Sequence, residues 1–184
     1  MRRKAVLLGL LLGIGLSQMG PFRARFEAAL HSGGHEFAQV MLAQDKGQAL
    51  CSQYRDKLPP DLIPGFLAEQ KALIKYPANG KLMGDWRNGE KVFTDPKRGN
   101  CYACHAGVPE EVAYGTMGPS LTAYGQRGTA EPVVRYTYEK IYNAWAFVPC
   151  SLMYRGGVHG LFTPEETADL VAFLLDPESP INRR

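Results

Sequence analysis

Several things that would settle a class at once are scarce in this sequence. Its 184 residues hold four cysteines and four histidines, too few thiols for a small disulfide-dense scaffold. No stretch shows the alternation of apolar and polar residues that marks half-buried strands. After residue 16, no apolar run approaches the ~18 residues of a membrane span. Charge of one sign is also missing. The formal +3 comes from Arg2, Arg3 and Lys4, with no acid before Glu27, and the other 18 basic residues face 18 acidic ones. That balance removes the electrostatic footprint expected of a polyanion-binding protein. A composition 45% hydrophobic and 21% charged excludes a disordered or fibrous chain. The length suits one domain with an extension.

The first residues carry an address. A basic head is followed by Ala5 to Leu16, made only of Ala, Val, Leu, Ile and Gly, and then by a polar break at Ser17-Gln18. This is the layout of a secretory signal, with small residues at Gly15 and Ser17 placing cleavage after Ser17. As a helix the apolar segment would rise about 18 Å, well short of a hydrocarbon core of ~30 Å, so no stable membrane insertion is expected after cleavage. Export to an oxidising compartment permits disulfides. Residues 1–17 are therefore assigned to a signal peptide, 18–84 to a helical N-terminal extension and 85–184 to the principal domain.

The extension has helix-compatible segments, FRARFEAALH and HEFAQVMLAQ, separated by Ser32-Gly33-Gly34. His31 and His35 are four apart, but the glycine pair between them argues for a surface pair rather than a metal site. The run PPDLIP is expected to break helical structure, and Gly65 to Lys75 reads as one amphipathic helix. The extension carries no catalytic motif and no internal repeat. Further on, Asp85 to Phe93, Tyr136 to Trp145 and the segment after Thr163 read as helices. Thr163-Pro164-Glu165-Glu166 supplies an N-cap, a proline pre-set for the first helical position and a glutamate that can close a capping box. The fold class is mainly α.

Cys101-Tyr102-Ala103-Cys104-His105 is the attachment pattern of haem c. Two thiols at this spacing reach the two vinyl groups on one edge of a porphyrin, and the following imidazole is placed over the iron. A zinc site would need a second Cys/His pair close by, and Cys51 and Cys150 stand apart. One covalently bound haem c is the expected cofactor. The flanks suit a class I cytochrome c-like domain: Gly89 and Phe93 share one helical face and Leu170 and Phe173 another, as in that family, where the first and last helices cross closely. Pro119, in the turn Gly118-Pro119-Ser120-Leu121, is the candidate to accept the Nδ1 proton of His105 and fix its tautomer.

The sixth iron ligand is to be sought downstream. Met153, in a loop between two helices, is the first candidate. His159 and an open iron are the alternatives, and Met117 reads as a packing residue. Trp86, Trp145 and the tyrosines after the motif are expected to wall the crevice. Lys97, Arg98 and Arg155 are candidates for meeting an acidic partner or the haem propionates. With Cys101 and Cys104 consumed, Cys51 and Cys150 are left either to bridge to each other or to remain free or intermolecular thiols.

The phrases AEQKALIKYPANGKLMGDWRNGEKVF, GNCYACHAG, YGTMGPSLTAYG, KIYNAW, PCSLM and FTPEETADLVAFLLDPESPIN together resemble the SoxX family, the monohaem subunits of SoxAX cytochromes. The likeness runs from about Cys51 to Asn182. It implies haem on Cys101 and Cys104, His105 and Met153 as axial ligands, and a disulfide between Cys51 and Cys150. Family members often follow the methionine with Pro-Arg-Phe-Gly, whereas Tyr154-Arg155-Gly156-Gly157 follows here.

The resemblance further implies work in the bacterial periplasm. The SoxAX complex, an L-cysteine S-thiosulfotransferase, couples thiosulfate oxidatively to a cysteine of the carrier SoxYZ and releases two electrons. Those electrons would pass from the haem of a SoxA-like subunit through this chain to a downstream soluble cytochrome c, with the sulfur chemistry done in the partner and no catalytic residue here. Residues 18–84 would serve as a docking element, and no nucleic acid is involved. A stand-alone periplasmic class I cytochrome c shuttle is the competing expectation.

Overall fold

The computed structural model describes residues 24–34, 36, 37, 39 and 43–183. The proposed signal peptide and His35 of the histidine pair lie outside them. The chain divides into two compact units, Met1–Asp45 and Lys46–Arg184. In the first, residues 24–32 are helical, and Ser32 Oγ donates to the Ala29 carbonyl at 2.6 Å.

The second unit contains five α-helices: α1 (Lys46–Gln53), α2 (Ile63–Ala72), α3 (Trp86–Thr94), α4 (Glu131–Tyr142) and α5 (Pro164–Leu175). Short 3₁₀ turns at Cys101–Ala103, Tyr124–Arg127, Ala144–Ala146 and Pro180–Asn182 connect or follow them. No strand occurs among the described residues, as the mainly α class requires, and the helical arrangement is consistent with the expected class I cytochrome c-like domain. None of the described helices is long and apolar enough to cross a membrane.

Two helices begin earlier than their apolar patterns suggest, and proline is the reason in both. Pro64 lies in the first turn of α2 and Pro132 in the first turn of α4, where an amide proton has no intrahelical partner to lose. The run PPDLIP therefore starts a helix with its last proline. At the other end α4 stops at Tyr142 rather than Trp145. Asn143 leaves the helical region, and its side chain accepts from the Trp145 amide to open the next 3₁₀ turn.

α5 organises the core. Its buried residues run almost all the way round the helix, the pattern of a helix enclosed by its neighbours. Val171 and Leu175 join Ile74, Tyr138 and Tyr142. Leu170, Phe173 and Leu174 join Val92, Phe93, Phe162 and Ile181. A third cluster, Cys51, Phe66 and Cys150 with Leu50, Leu58 and Trp145 around it, draws α1 and α2 against the segment that follows α4. The buried Glu139 of α4 accepts from Tyr76 Oη at 2.8 Å and faces Lys71 of α2 at 3.4 Å, so its charge is not left unpaired.

The crossing of α3 and α5 is set by a missing side chain. A Cβ on Gly89 would collide with the Asp169 carbonyl of α5 and press on Phe173. With glycine there, Phe93 and Phe173 meet at 4.9 Å between ring centroids. The Asp169 carboxylate accepts from the Asp85 amide and from Asn88 Nδ2, both at 2.7 Å, tying the start of α3 to the middle of α5. Gly89→Ala should cost about 1–3 kcal/mol or more through overpacking against backbone, read as a lowered urea midpoint with unchanged slope.

The start of α5 has the expected capping box: Thr163 Oγ1 accepts from the Glu166 amide at 3.1 Å and Glu166 accepts from the Thr163 amide at 2.9 Å. Arg98 pairs with the same carboxylate. Burial pushes the Glu166 carboxyl up, but the hydrogen bonds from Arg98 and Thr163 and the Arg98 charge outweigh it and hold its pKa below the usual value. A depressed carboxylate stabilises the fold above its unfolded pKa, and that stability is lost as pH falls through the folded value. Stability should therefore decline below about pH 4.5, and Arg98→Met should flatten part of that decline in denaturation curves taken between neutral and acid pH.

Candidate haem site

The attachment motif is placed by the end of α3. After Thr94 the chain turns over, and Asn100 enters the left-handed region (φ 41°, ψ 43°), which asparagine tolerates. A 3₁₀ turn over Cys101–Ala103 follows, with the amides of Cys104 and His105 both donating to the Cys101 carbonyl at 3.1 and 2.9 Å. This tight turn brings both sulfurs and the imidazole to one wall. Tyr102 points the other way, edge-on to Phe93 at 5.0 Å.

The loop after the motif is zipped back onto it. The amides of Gly115, Gly118 and Leu121 donate to the carbonyls of Tyr102, Cys104 and Ala106 at 2.7, 2.8 and 2.9 Å. Pro119 is thereby brought to His105, whose Nδ1 donates to the Pro119 carbonyl at 2.7 Å. A proton held on Nδ1 leaves the Nε2 lone pair free for a metal. Gly118 makes this possible, because a Cβ there would collide with the imidazole ring.

Beside this wall is a cavity of about 550 Å³, to which Cys101, Cys104, His105, Pro119 and Met153 all contribute. That size falls within the range of about 300–1,000 Å³ typical of cofactor sites. Its other walls are largely apolar, with Phe93 from α3, Ile141 from α4 and Leu170 and Leu174 from α5. Two thiols, an imidazole with a free Nε2 and a thioether in one apolar cavity are the donor set of haem c, and the residues present fit that group. Met117 also lines the cavity, but it is 67% exposed. His159 does not line it. It accepts from Arg155 Nη2 at 3.1 Å and borders a separate, smaller hollow of about 410 Å³.

The thiols of Cys101 and Cys104 stand where thioether sulfurs would be in the haem-loaded protein. Burial raises the Cys101 thiol to about 12, with the neighbouring Cys104 adding to the shift against a hydrogen bond with Tyr154. Such a thiol stays protonated at neutral pH and is slow to enter disulfide exchange, which needs the thiolate. Tyr154 is raised as well, first by burial and then by the Cys101 charge, and its hydroxyl donates to the Gly99 carbonyl.

The cationic side chains at the cavity are not those the sequence suggested. Arg98 is engaged with Glu166 and with the Leu161 carbonyl, and Arg155 is buried. Neither Lys97 nor these two lines the cavity; Arg127 and Lys140 do. The Arg127 guanidinium lies over the Tyr124 ring at 4.5 Å, and burial lowers the Lys140 ammonium from its ordinary value. The aromatic wall is also narrower than expected. Tyr124, Tyr136 and Tyr154 face the cavity. Tyr138 and Tyr142 belong to the core, and Trp145 packs by the cysteine cluster.

Cys51 and Cys150 are joined as a disulfide, with Cα atoms 5.6 Å apart. Asp56 approaches the same sulfurs closely enough to suggest a metal cluster, but two sulfurs bonded to each other offer no thiolate. Gly118, Arg127 and Lys140 were not among the expected site residues, and Arg155, expected to meet an acidic partner or the propionates, is buried instead. A glycine immediately before the candidate Pro119 was the one signal in the sequence that could have revealed the first. Gly118→Ala should displace the His105 ring, lower stability by about 1–3 kcal/mol and reduce covalent haem yield, measured as haem absorbance per polypeptide.

The cytochrome c family profile matches residues 86–176, from the start of α3 to the residue after α5. A protein of Aquifex aeolicus (strain VF5), described as an uncharacterized lipoprotein, is 47% identical over 166 residues, which cover 83% of this chain and 79% of that protein. The match to the cytochrome c profile implies covalently bound haem c and an electron-transfer role. The fold, the cavity and the profile match together show that the chain carries a cytochrome c domain over residues 86–176.

Proposed function

We propose that this chain is an exported electron-relay subunit of a SoxAX-type complex. The observation that carries the electron-transfer part is the gathering of Cys101, Cys104, His105 and Met153 around one apolar cavity. Bound haem c supplies a one-electron iron couple there. Cys101 and Cys104 anchor it by thioethers, and His105, oriented through Pro119, gives the proximal nitrogen. Met153 would hold the group through a soft thioether sulfur, which would favour the ferrous state and raise the potential. Arg127 and Lys140 are the cations that meet the propionates. With both His105 and Met153 holding the haem, the isolated chain would offer no open site for substrate, so it would pass electrons while the thiosulfate chemistry belongs to the partner.

The finer reading rests on the sequence phrases shared with SoxX subunits, which extend beyond the haem motif on both sides. Export rests on the basic head and apolar segment, on the disulfide between Cys51 and Cys150, and on the description of the Aquifex relative as a lipoprotein. The partners in this reading are a SoxA-like haem subunit, the SoxYZ carrier through the complex and a downstream cytochrome c in the periplasm. A freely diffusing shuttle is the second reading, favoured by the self-contained cavity.

Purification of the haem-loaded protein from its native host separates the two. We expect one covalent haem per chain by pyridine haemochrome assay and a second haem polypeptide that copurifies. A lone monomer without a partner would sink the complex and leave the shuttle. In the oxidised protein, the weak red absorption band of methionine-ligated ferric haem should be present, and Met153→Ala should abolish it and lower the potential.

A further inference from the structure

The segment that carries Met153 is pinned at nearly every second residue. Cys150 is bonded to Cys51 of α1. The Ser151 carbonyl accepts from Trp145 Nε1 at 2.8 Å, and Ser151 Oγ accepts from the Met153 amide at 3.1 Å. Tyr154 reaches the Gly99 carbonyl. The next residue is Arg155, the largest of the fully buried side chains, with 1% of its surface exposed.

A guanidinium stays charged at any accessible pH, and burying it is costly unless its donors and its face are engaged. Here they are. Nη1 donates to Gln70 Oε1 at 3.0 Å and Nη2 to His159 Nε2 at 3.1 Å, while the planar group lies 4.1 Å from the centroid of the Trp145 ring. These partners are themselves locked. Asn143 Nδ2 donates to the Gln70 carbonyl at 2.8 Å and to Gln70 Oε1 at 3.2 Å, and the Trp145 amide donates to Asn143 Oδ1. The result is a closed circuit running from Arg155 through Gln70 of α2, Asn143, Trp145 and Ser151 to the backbone of Met153.

We propose that Arg155 is the positioning residue of the distal ligand: it holds the Met153 segment against α2 so that the thioether is presented to the cavity at a fixed height. The inference rests on Met153 being the sixth ligand. Coulombic attraction alone would not need this residue. The fork engages two acceptors at once and the flat face stacks on indole, which a lysine cannot reproduce.

The test uses the holoprotein and compares wild type with Arg155→Lys, His159→Ala and Val171→Ala. The rate at which imidazole displaces the intrinsic sixth ligand of the ferric protein reports how firmly that ligand is held. Arg155→Lys should raise this rate about tenfold, equivalent to ~1.4 kcal/mol, weaken the red methionine band and lower the potential. His159→Ala, at an exposed position, removes one acceptor and should shift all three readings in the same direction by less, so the inference is readable even if the lysine variant folds poorly. Val171→Ala lies in the α5 core, away from the circuit and from the cavity lining, and should lower the melting temperature while leaving band and rate unchanged. An unchanged band and rate in both Arg155→Lys and His159→Ala overturns the inference while leaving Met153 as ligand. Absence of the band in the wild type overturns the ligand assignment and the inference with it.

Discussion

The close approach of α3 to α5 is the constraint on which the site depends. Without a side chain at Gly89, the two helices meet backbone to backbone at Asp169, and both ends of the crossing do work. At one end α3 runs into the turn that bears Cys101, Cys104 and His105. At the other, Leu170 and Leu174 of α5 form the facing wall of the cavity. A wider crossing would move the sulfurs away from the wall that must enclose the ring. The carboxylate of Asp169 holds α3 from rotating by engaging both Asp85 and Asn88.

Two different kinds of anchorage then surround the cavity. The His105 side is held by backbone: three amide–carbonyl bonds fold the 115–121 loop onto the motif, and a carbonyl orients the imidazole. The Met153 side is held by side chains, a buried guanidinium and a disulfide among them. This difference follows from what the two sides must present. A histidine next to the attachment cysteines is already placed by the covalent motif and needs only its ring oriented. A methionine far along the chain has no such local frame, and its segment must be fastened to elements remote in sequence.

Much of this was legible before the fold was known because it depends on local spacing. The attachment motif, the glycine and phenylalanine of α3, the capping box at Thr163 and the proline beside His105 are all short-range patterns, and the structure brings these groups together. What was not legible depends on the tertiary arrangement. Pro64 reads as a breaker because, unlike Pro164 behind Thr163, it follows no residue with a capping side chain: Leu62 holds the N-cap position with no side-chain hydrogen bond. Arg155 suggests in sequence a cation for an acidic partner or the propionates, whereas its burial is decided by Gln70 and Trp145, one of them 85 residues away. Arg127 and Lys140 face the cavity only because the turn over Tyr124–Arg127 and the helix α4 happen to share that wall.

The disulfide has a topological consequence. Cys51 and Cys150 are separated by 99 positions, and the whole attachment motif lies between them. Once that bond has formed, Cys101 and Cys104 sit on a covalently closed ring of peptide, so the haem must either be loaded before closure or be admitted to a loop that can no longer open at its base. The same ring means that a single peptide-bond cut anywhere between the two cysteines yields two fragments still joined through sulfur, with the His105 side and the Met153 side held in one molecule.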